Sequence, residues 1–281
     1  MTETASQTPP VPRAVGELYD RLTLNAMRDG SFNPNVHIGY WDEPDTPASI
    51  DEAMDRLTDV FIESMTVDAG SHVLDLGCGV GGPALRLVAR TGARVTGVSV
   101  SEEQVKTANR LAAEAGVADR AVFAHGDAMD LPFSDASFDA VMALESICHM
   151  PDRQRALTEA SRVLAPGGRI VLTDVFERAP RKAERHPGID KFCRSLMATT
   201  ADIDDYVALL HRSGLRLRAL TDVTERTTLR LADELARLAA REDRPVAMEE
   251  GNFGFDEDAF RPSDLAGADD FGCLLAVAVR P

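Results

Sequence analysis

A glycine-rich turn, one histidine and one aspartate carry the chemistry that can be read from this chain. The run Val73-Leu74-Asp75-Leu76-Gly77-Cys78-Gly79-Val80-Gly81-Gly82-Pro83 is a buried strand that breaks into a turn and then starts a helix. Glycine lets the backbone approach a ligand closely and adopt conformations closed to other residues. Pro83 suits the first turn of a helix, where its missing N–H costs nothing. The free N–H groups of that helix start suit the carboxylate or phosphate of a nucleotide-like cofactor. His149 follows a predicted strand in Ala143-Leu144-Glu145-Ser146-Ile147-Cys148-His149, and Asp174 closes another, Ile170-Val171-Leu172-Thr173-Asp174. Histidine titrates near neutrality, so it is suited to taking a proton from a hydroxyl.

Gly77, Gly79 and Gly82 satisfy G-x-G-x-x-G, a pattern that is weak evidence by itself. A dinucleotide site expects an acidic residue about 20 positions on, at the end of the second strand. The second strand here, Arg94 to Ser101, ends without one. Asp75 instead stands two residues before the first glycine. That placement resembles motif I of the class I S-adenosylmethionine methyltransferases, where the acid supports the glycine loop. On this motif alone a dinucleotide site and a plain strand-to-helix turn both stay open.

The elements that must position these residues follow from the pattern of the whole chain. An amphipathic helix is predicted from Pro12 to Arg28, and a loop holding His37-Ile38-Gly39-Tyr40-Trp41 follows it. Ser49 with Glu52 forms a capping box for a second helix, running to about Met65. Strands are then predicted at His72–Leu76, Arg94–Ser99, Ala121–His125, Phe138–Ala143, Gly168–Val175, Leu215–Val223 and Gly272–Val279. Helices between most of them imply an α/β fold: a Rossmann-like, seven-stranded, mostly parallel sheet with helices on both faces. N-terminal helices and a lid over the strand ends complete it. Residues 1–12 read as a disordered leader and 13–281 as a single domain. Within it, 13–66 are N-terminal helices and 67–175 the cofactor-binding core. Segments 176–200 and 228–270 are lid and substrate-side excursions.

Composition narrows the classes. The 281 residues are enough for one large domain, and 44% hydrophobic content supports a full core. A formal charge of −16 argues against nucleic acid and against an anionic membrane surface, and leaves room for a neutral or cationic small molecule. The four cysteines, Cys78, Cys148, Cys193 and Cys273, have no metal-type spacing, and no metal is expected. With no signal peptide and no long apolar run, the chain is expected to be cytoplasmic with reduced thiols. A homodimer is compatible with the sequence, which does not set the oligomeric state.

Six motifs in order resemble the class I S-adenosylmethionine methyltransferases: His37 to Trp41, the glycine run, Ser99-Val100-Ser101 with Gln104, Gly126 to Phe133, Ala143 to Ser146, and Leu164 to Gly168. The group that they resemble most closely acts on small natural products and includes the rebeccamycin-type sugar O-methyltransferases. It also includes terpenoid C-methyltransferases and enzymes that keep the fold but cyclise. The resemblance implies S-adenosyl-L-methionine as cofactor, and it implies roles. Asp75, Gly77 and Gly79 form the loop. Ser99 and Val100 line the ribose, and Gln104 bonds its hydroxyls. Asp127 accepts from the adenine amino group, while the Ala128 and Met129 backbones hold the ring edge. Leu144 lies in the cofactor-side loop with Glu145. Tyr19, Tyr40 and Trp41 are aromatics able to close over the cofactor or, equally, to anchor the N-terminal helices.

Neighbouring fourth and fifth strands should bring His149 and Asp174 to one cavity, with His149 as base and Asp174 orienting it or binding a neighbouring hydroxyl. This chain has Cys148-His149 where the rebeccamycin-type enzymes carry two histidines. The implied function is O-methylation of a hydroxyl on a small secondary metabolite, a glycoside or polyketide-like compound. C-methylation of an alkene and cofactor-retaining cyclisation remain alternatives. The 5% aromatic content favours oxygen over a carbocation route.

Overall fold

The computed structural model describes residues 9–43, 47–178, 184–231, 234 and 260–281. Its strands are β1 (His72–Leu76), β2 (Arg94–Ser99), β3 (Ala121–His125), β4 (Phe138–Ala143), β5 (Leu164–Glu177), β6 (Ala201–Asp202), β7 (Arg216–Asp222) and β8 (Phe271–Val279). The helices are α1 (Pro12–Asp29), α2 (Ile50–Met65), α3 (Gly82–Thr91), α4 (Glu102–Glu114), α5 (Arg153–Val163), α6 (Pro187–Ser195) and α7 (Tyr206–Arg212). All the strands join one sheet in the order β3-β2-β1-β4-β5-β8-β7, with β6 paired to the far end of β5. The first five strands run parallel; β8 is antiparallel to both β5 and β7.

The period of two in each strand sorts its side chains between two cores. Leu74, Leu76, Val141 and Leu172 face α5 and α7, packing with Leu157, Ala160 and Leu210. Val73, Val95, Met142 and Val171 face the other way, onto Leu57 and Phe61 of α2 and Leu87 of α3. Both faces are therefore covered, as a parallel sheet requires. The Ser49 side chain accepts from the Glu52 N–H, and the reciprocal bond of the capping box is present.

Beyond one-residue shifts at α1, β7 and β8, the structure departs from the sequence reading at two strands. The sheet has an eighth strand, β6, whose two residues are too few to show a pattern. β5 begins at Leu164, which pairs with Phe138 of β4, and runs on to Glu177, because β8 pairs along it from Arg169 to Glu177. Helix α1 starts at Pro12 as expected, which takes Pro12 out of the expected leader, and residues 1–8 of that leader lie outside the described residues. The described parts of the two excursions pack on each other. Phe192 of α6 meets Phe260 and Phe271 edge-on, and the Asp264 carbonyl presses on Gly188 so closely that a Cβ there would lie 1.9 Å from it. Residues 179–183, 232–233 and 235–259, where the rest of the expected lid falls, lie outside the described residues.

Candidate active site

The glycine turn sits at the carboxyl end of β1, beside β4, where the strand order reverses and ligands of α/β sheets bind. The N–H groups of Gly77 and Cys78 both donate to the Val98 carbonyl at 2.9 Å, curling the chain back onto β2. Gly77 has φ +81°, and a Cβ there would lie 2.3 Å from Cβ of Ser146. Gly79 also has positive φ, +53°. A Cβ on it would meet nothing closer than Gln104 Nε2 at 3.9 Å, because that side of the turn opens into a cleft.

The cleft has an empty volume of about 760 Å³, including its mouth. Of the residues expected from sequence, Tyr19, Gly77, Gly79, Ser99, Val100, Gln104, Asp127, Ala128, Leu144 and His149 line it. Gln104 is buried and its carbonyl accepts from the Ser99 hydroxyl at 2.9 Å, which leaves its NH₂ donors for a ligand. Asp127 accepts from the Met129 N–H at 2.9 Å; Met129 thus braces the loop and its side chain packs against the core rather than lining the cleft.

Tyr40 and Trp41 do not line the cleft. The Trp41 ring is buried, its indole N–H donates to the Ala48 carbonyl at 3.3 Å, and Arg230 stacks on it. The Tyr40 hydroxyl accepts from Arg226. These two aromatics anchor the 37–41 loop, and of the three expected aromatics it is Tyr19 that reaches the site. Asp75 is buried behind the glycine turn on the Val73 face of β1. Its Oδ2 has no partner, and burial pushes its carboxyl up to about 7. A partnerless buried carboxyl under a glycine cradle fits a cofactor that brings cationic groups, as S-adenosylmethionine does with its ammonium and sulfonium.

Helix α1 forms one wall of the cleft through Pro12, Val15 and Tyr19. Two contacts hold it there. Asp20 Oδ1 accepts from the Ser101 hydroxyl at 2.6 Å and from the Glu103 N–H at 3.0 Å. Gly16 lies against the Val100 carbonyl, where a Cβ would be only 2.2 Å away.

His149 sits in a short turn after β4, half-buried, with a neighbour at each ring nitrogen. Nε2 is 3.0 Å from the Tyr19 hydroxyl and Nδ1 is 3.4 Å from the Met197 carbonyl. A carbonyl can only accept, so in the neutral ring Nδ1 carries the hydrogen. Nε2 then offers its lone pair and Tyr19 donates to it. Burial lowers the His149 pKa below 6.5 and raises that of Tyr19. The ring is therefore neutral at neutral pH.

Asp174 is placed differently from expectation. No hydrogen bond joins it to His149. Arg153 takes its Oδ2 through Nε at 2.7 Å and its Oδ1 through Nη2 at 3.1 Å; the Tyr206 hydroxyl donates to Oδ2 at 3.0 Å and the Val175 N–H to Oδ1 at 2.9 Å. All of its acceptor positions are occupied, and it does not line the cleft.

Sequence reasoning gave Glu145 no chemical role. It lines the cleft with φ +50°, a conformation that costs a non-glycine residue and tends to occur at functional sites. Its oxygens share the Ile38 N–H at 3.2 Å, and burial pushes its carboxyl up to about 7. Nothing in the sequence signals that backbone. Gly16 did leave a trace: a glycine inside a helical pattern costs about 1 kcal/mol against alanine and asks for a packing reason. Among the described residues no group of three or more His, Cys, Asp or Glu is placed to hold a metal ion. No described helix is long and apolar enough to cross a membrane.

Comparison with known proteins agrees with this geometry. Residues 74–172 match a family described as a methyltransferase domain. Methyltransferase GfsG of Streptomyces halstedii is 42% identical over 76% of this chain and 77% of its own. The 27-O-demethylrifamycin SV methyltransferase of Amycolatopsis mediterranei is 41% identical over 78% and 80%. Among solved structures, the [4+2]-cyclase SpnF superposes with a TM-score of 0.77 at 32% identity, over 98% of this chain and 97% of that one.

Proposed function

The chain belongs to the class I S-adenosylmethionine-dependent methyltransferases, and we propose that within this family it methylates a hydroxyl group of a small secondary metabolite, glycoside or polyketide-like. The observation that carries the oxygen assignment is the place of His149 at the cleft, with Nε2 3.0 Å from the Tyr19 hydroxyl. A neutral imidazole is a competent acceptor for the proton of an alcohol. The rifamycin relative, named for an O-demethylated substrate, supports a polyketide-like acceptor.

The bound cofactor supplies an electrophilic methyl group. The protein's own part is mainly positioning. The Gly77–Gly81 turn and the N-terminus of α3 receive its amino-acid end, with Asp75 behind them. Gln104, Ser99 and Asp127 hold its nucleoside end. Tyr19 and α1 cover the cleft on one side and exclude water. His149 takes the proton of the acceptor hydroxyl at Nε2 once Tyr19 yields that position.

The test is to incubate the enzyme with S-adenosylmethionine and a panel of glycosylated and aglycone polyketides, following S-adenosylhomocysteine and product mass. A product gaining one methyl group on oxygen, located by NMR, is expected. A methyl group on carbon, or a cyclised product with no S-adenosylhomocysteine formed, would overturn the assignment. The second outcome would align the chain with the chemistry named for SpnF.

A further inference from the structure

We propose that Arg153 and Asp174 are positioning residues that fix the tautomer of His149 through the backbone of residues 197–199. Its mechanistic value rests on His149 being the base, but the positioning itself can be measured separately. With every acceptor position of Asp174 taken, its carboxylate serves to lock the Arg153 fork. The remaining donors of that fork point away from Asp174 and grip one residue. Nη1 donates to the Thr199 hydroxyl and Nη2 to the Thr199 carbonyl, both at 2.5 Å. The Thr199 N–H in turn donates at 2.9 Å to the carbonyl of Cys148, the residue before His149. Thr199 is thus tied on one side to the fork and on the other to the histidine's own turn.

Two residues earlier the chain does something costly. Met197 adopts φ +49°, and the Ala198 N–H reaches back to the Cys193 carbonyl at 3.0 Å. A left-handed methionine persists only where its surroundings impose it, at about 1–3 kcal/mol. The consequence of that bend is that the Met197 carbonyl lies 3.4 Å from His149 Nδ1. A free neutral imidazole prefers its hydrogen on the other nitrogen, Nε2. An acceptor at Nδ1 reverses that preference and frees Nε2 for the cleft. The charged and titratable groups facing the ring are Tyr19 from α1, Arg153 from α5, Asp174 from β5, and Glu145 and Cys148 on its own segment. Arg153 and Asp174 oppose each other's charge at the ring, so their main effect on it is through geometry.

The decisive measurement is the ¹⁵N spectrum of the imidazoles in full-length protein labelled at histidine. The His149 signals are identified by their loss in His149→Gln. In the wild type they should show a protonated Nδ1 and an unprotonated Nε2. Arg153→Lys keeps the charge but loses the fork. It should mix in the Nε2–H form and lower kcat, leaving the KM for S-adenosylmethionine within about twofold. The fall should lie between about 10-fold and 10⁴-fold, the upper figure being what a wrong-tautomer variant loses in a serine protease triad. Asp174→Asn should act in the same direction. A wild-type ring protonated at Nε2 would overturn the proposal even if neither variant folds. So would folded variants with unchanged ring signals. If the ring responds to Arg153→Lys while His149→Ala turns over like wild type, the positioning role stands and it is the base assignment that fails.

Discussion

The hydroxyl of Tyr19 lies 3.0 Å from Nε2 of His149, across 130 residues of chain, with the two rings edge to face at 79°. The nitrogen best placed to act as base is therefore capped by a residue of the first helix. The acceptor substrate must share or displace that hydroxyl before Nε2 can take its proton.

Removing the imidazole tests the base directly. His149→Ala should lower kcat by about 10²–10⁴, the usual contribution of a general base. Affinity for S-adenosylhomocysteine, measured by calorimetry, should stay nearly unchanged, because the groups assigned to hold the cofactor are Gln104, Asp127 and the glycine turn, not the imidazole. Wild-type turnover in this variant would return His149 to a packing role.

Burial moves the His149 pKa below 6.5, so the ring stays in its basic form through neutrality. The rate should be flat through pH 7 and fall on the acid side, below 6.5, as the ring gains a proton. That acid limb should vanish in His149→Ala. A wild-type profile that already falls between pH 8 and 7 would contradict the neutral ring.

The glycine cradle predicts a loss of binding without a loss of fold. Gly79→Val points a branched side chain into the open space beside the turn, and at φ +53° it also strains the backbone and lowers stability without changing the fold. Calorimetry should detect no S-adenosylhomocysteine binding, while circular dichroism remains that of the wild type. Retained affinity would mean that the cofactor does not approach the backbone here.

Helix α1 should be separable from the core. Asp20→Ala removes both bonds to the start of α4. Charge-assisted hydrogen bonds contribute about 1.5–3 kcal/mol. If part of that closes α1 over the cofactor, affinity should fall about 10-fold or more while the melting temperature changes little. An unchanged dissociation constant would leave α1 as a wall with no part in binding.

The buried acids set a pH dependence of stability. Glu145 has its pKa raised to about 7 in the folded state. The stability it contributes is fully present below its unfolded value and is lost as pH rises through about 7, on the order of 3 kcal/mol. His37, lowered to about 4 by burial, works in the opposite sense below 6.5. Asp75, also raised to about 7, adds to the loss from Glu145, so the wild-type curve mixes all three and the difference between variants is the clean reading. Glu145→Gln should gain in melting temperature relative to wild type as pH rises from 5 to 8. A constant difference would place the Glu145 pKa outside that window.

Much of the frame was legible because the sheet is regular. β1 to β4 begin and end where their alternating and β-branched residues predict, and Ser49 with Glu52 marks the start of α2. Gly77 and Gly79, read from the glycine motif, and Ser99 and Gln104, implied by the resemblance, do come together in one cleft, because each stands at the end of a strand or the start of the helix after it. The reacting side was less so. Asp174 does stand on β5 two residues past the level at which β4 ends, but Arg153, an unremarkable helix-start residue in sequence, captures it. That capture depends on a fork reaching across elements, which spacing along one strand does not reveal. Trp41 is similar: its neighbours Ala48 and Arg230 come from segments whose docking no local pattern encodes. The φ of Glu145 and of Met197 is imposed by tertiary packing and has no counterpart in residue type.

The position of β8 bears on how the chain is made. It lies between β5 and β7, and it is the strand that β7 pairs with. In the chain, α6, α7 and β7 all come between β5 and β8. A polypeptide leaving the ribosome can assemble β1 to β4 as each strand appears, but it must hold β5 with one bare edge until residue 271 has emerged. Exposed, apolar strand edges invite pairing with other chains. Synthesis that stalls between Asp222 and Phe271 should therefore yield aggregates rather than a smaller enzyme, and the yield of soluble protein should depend on chaperones that shelter that edge.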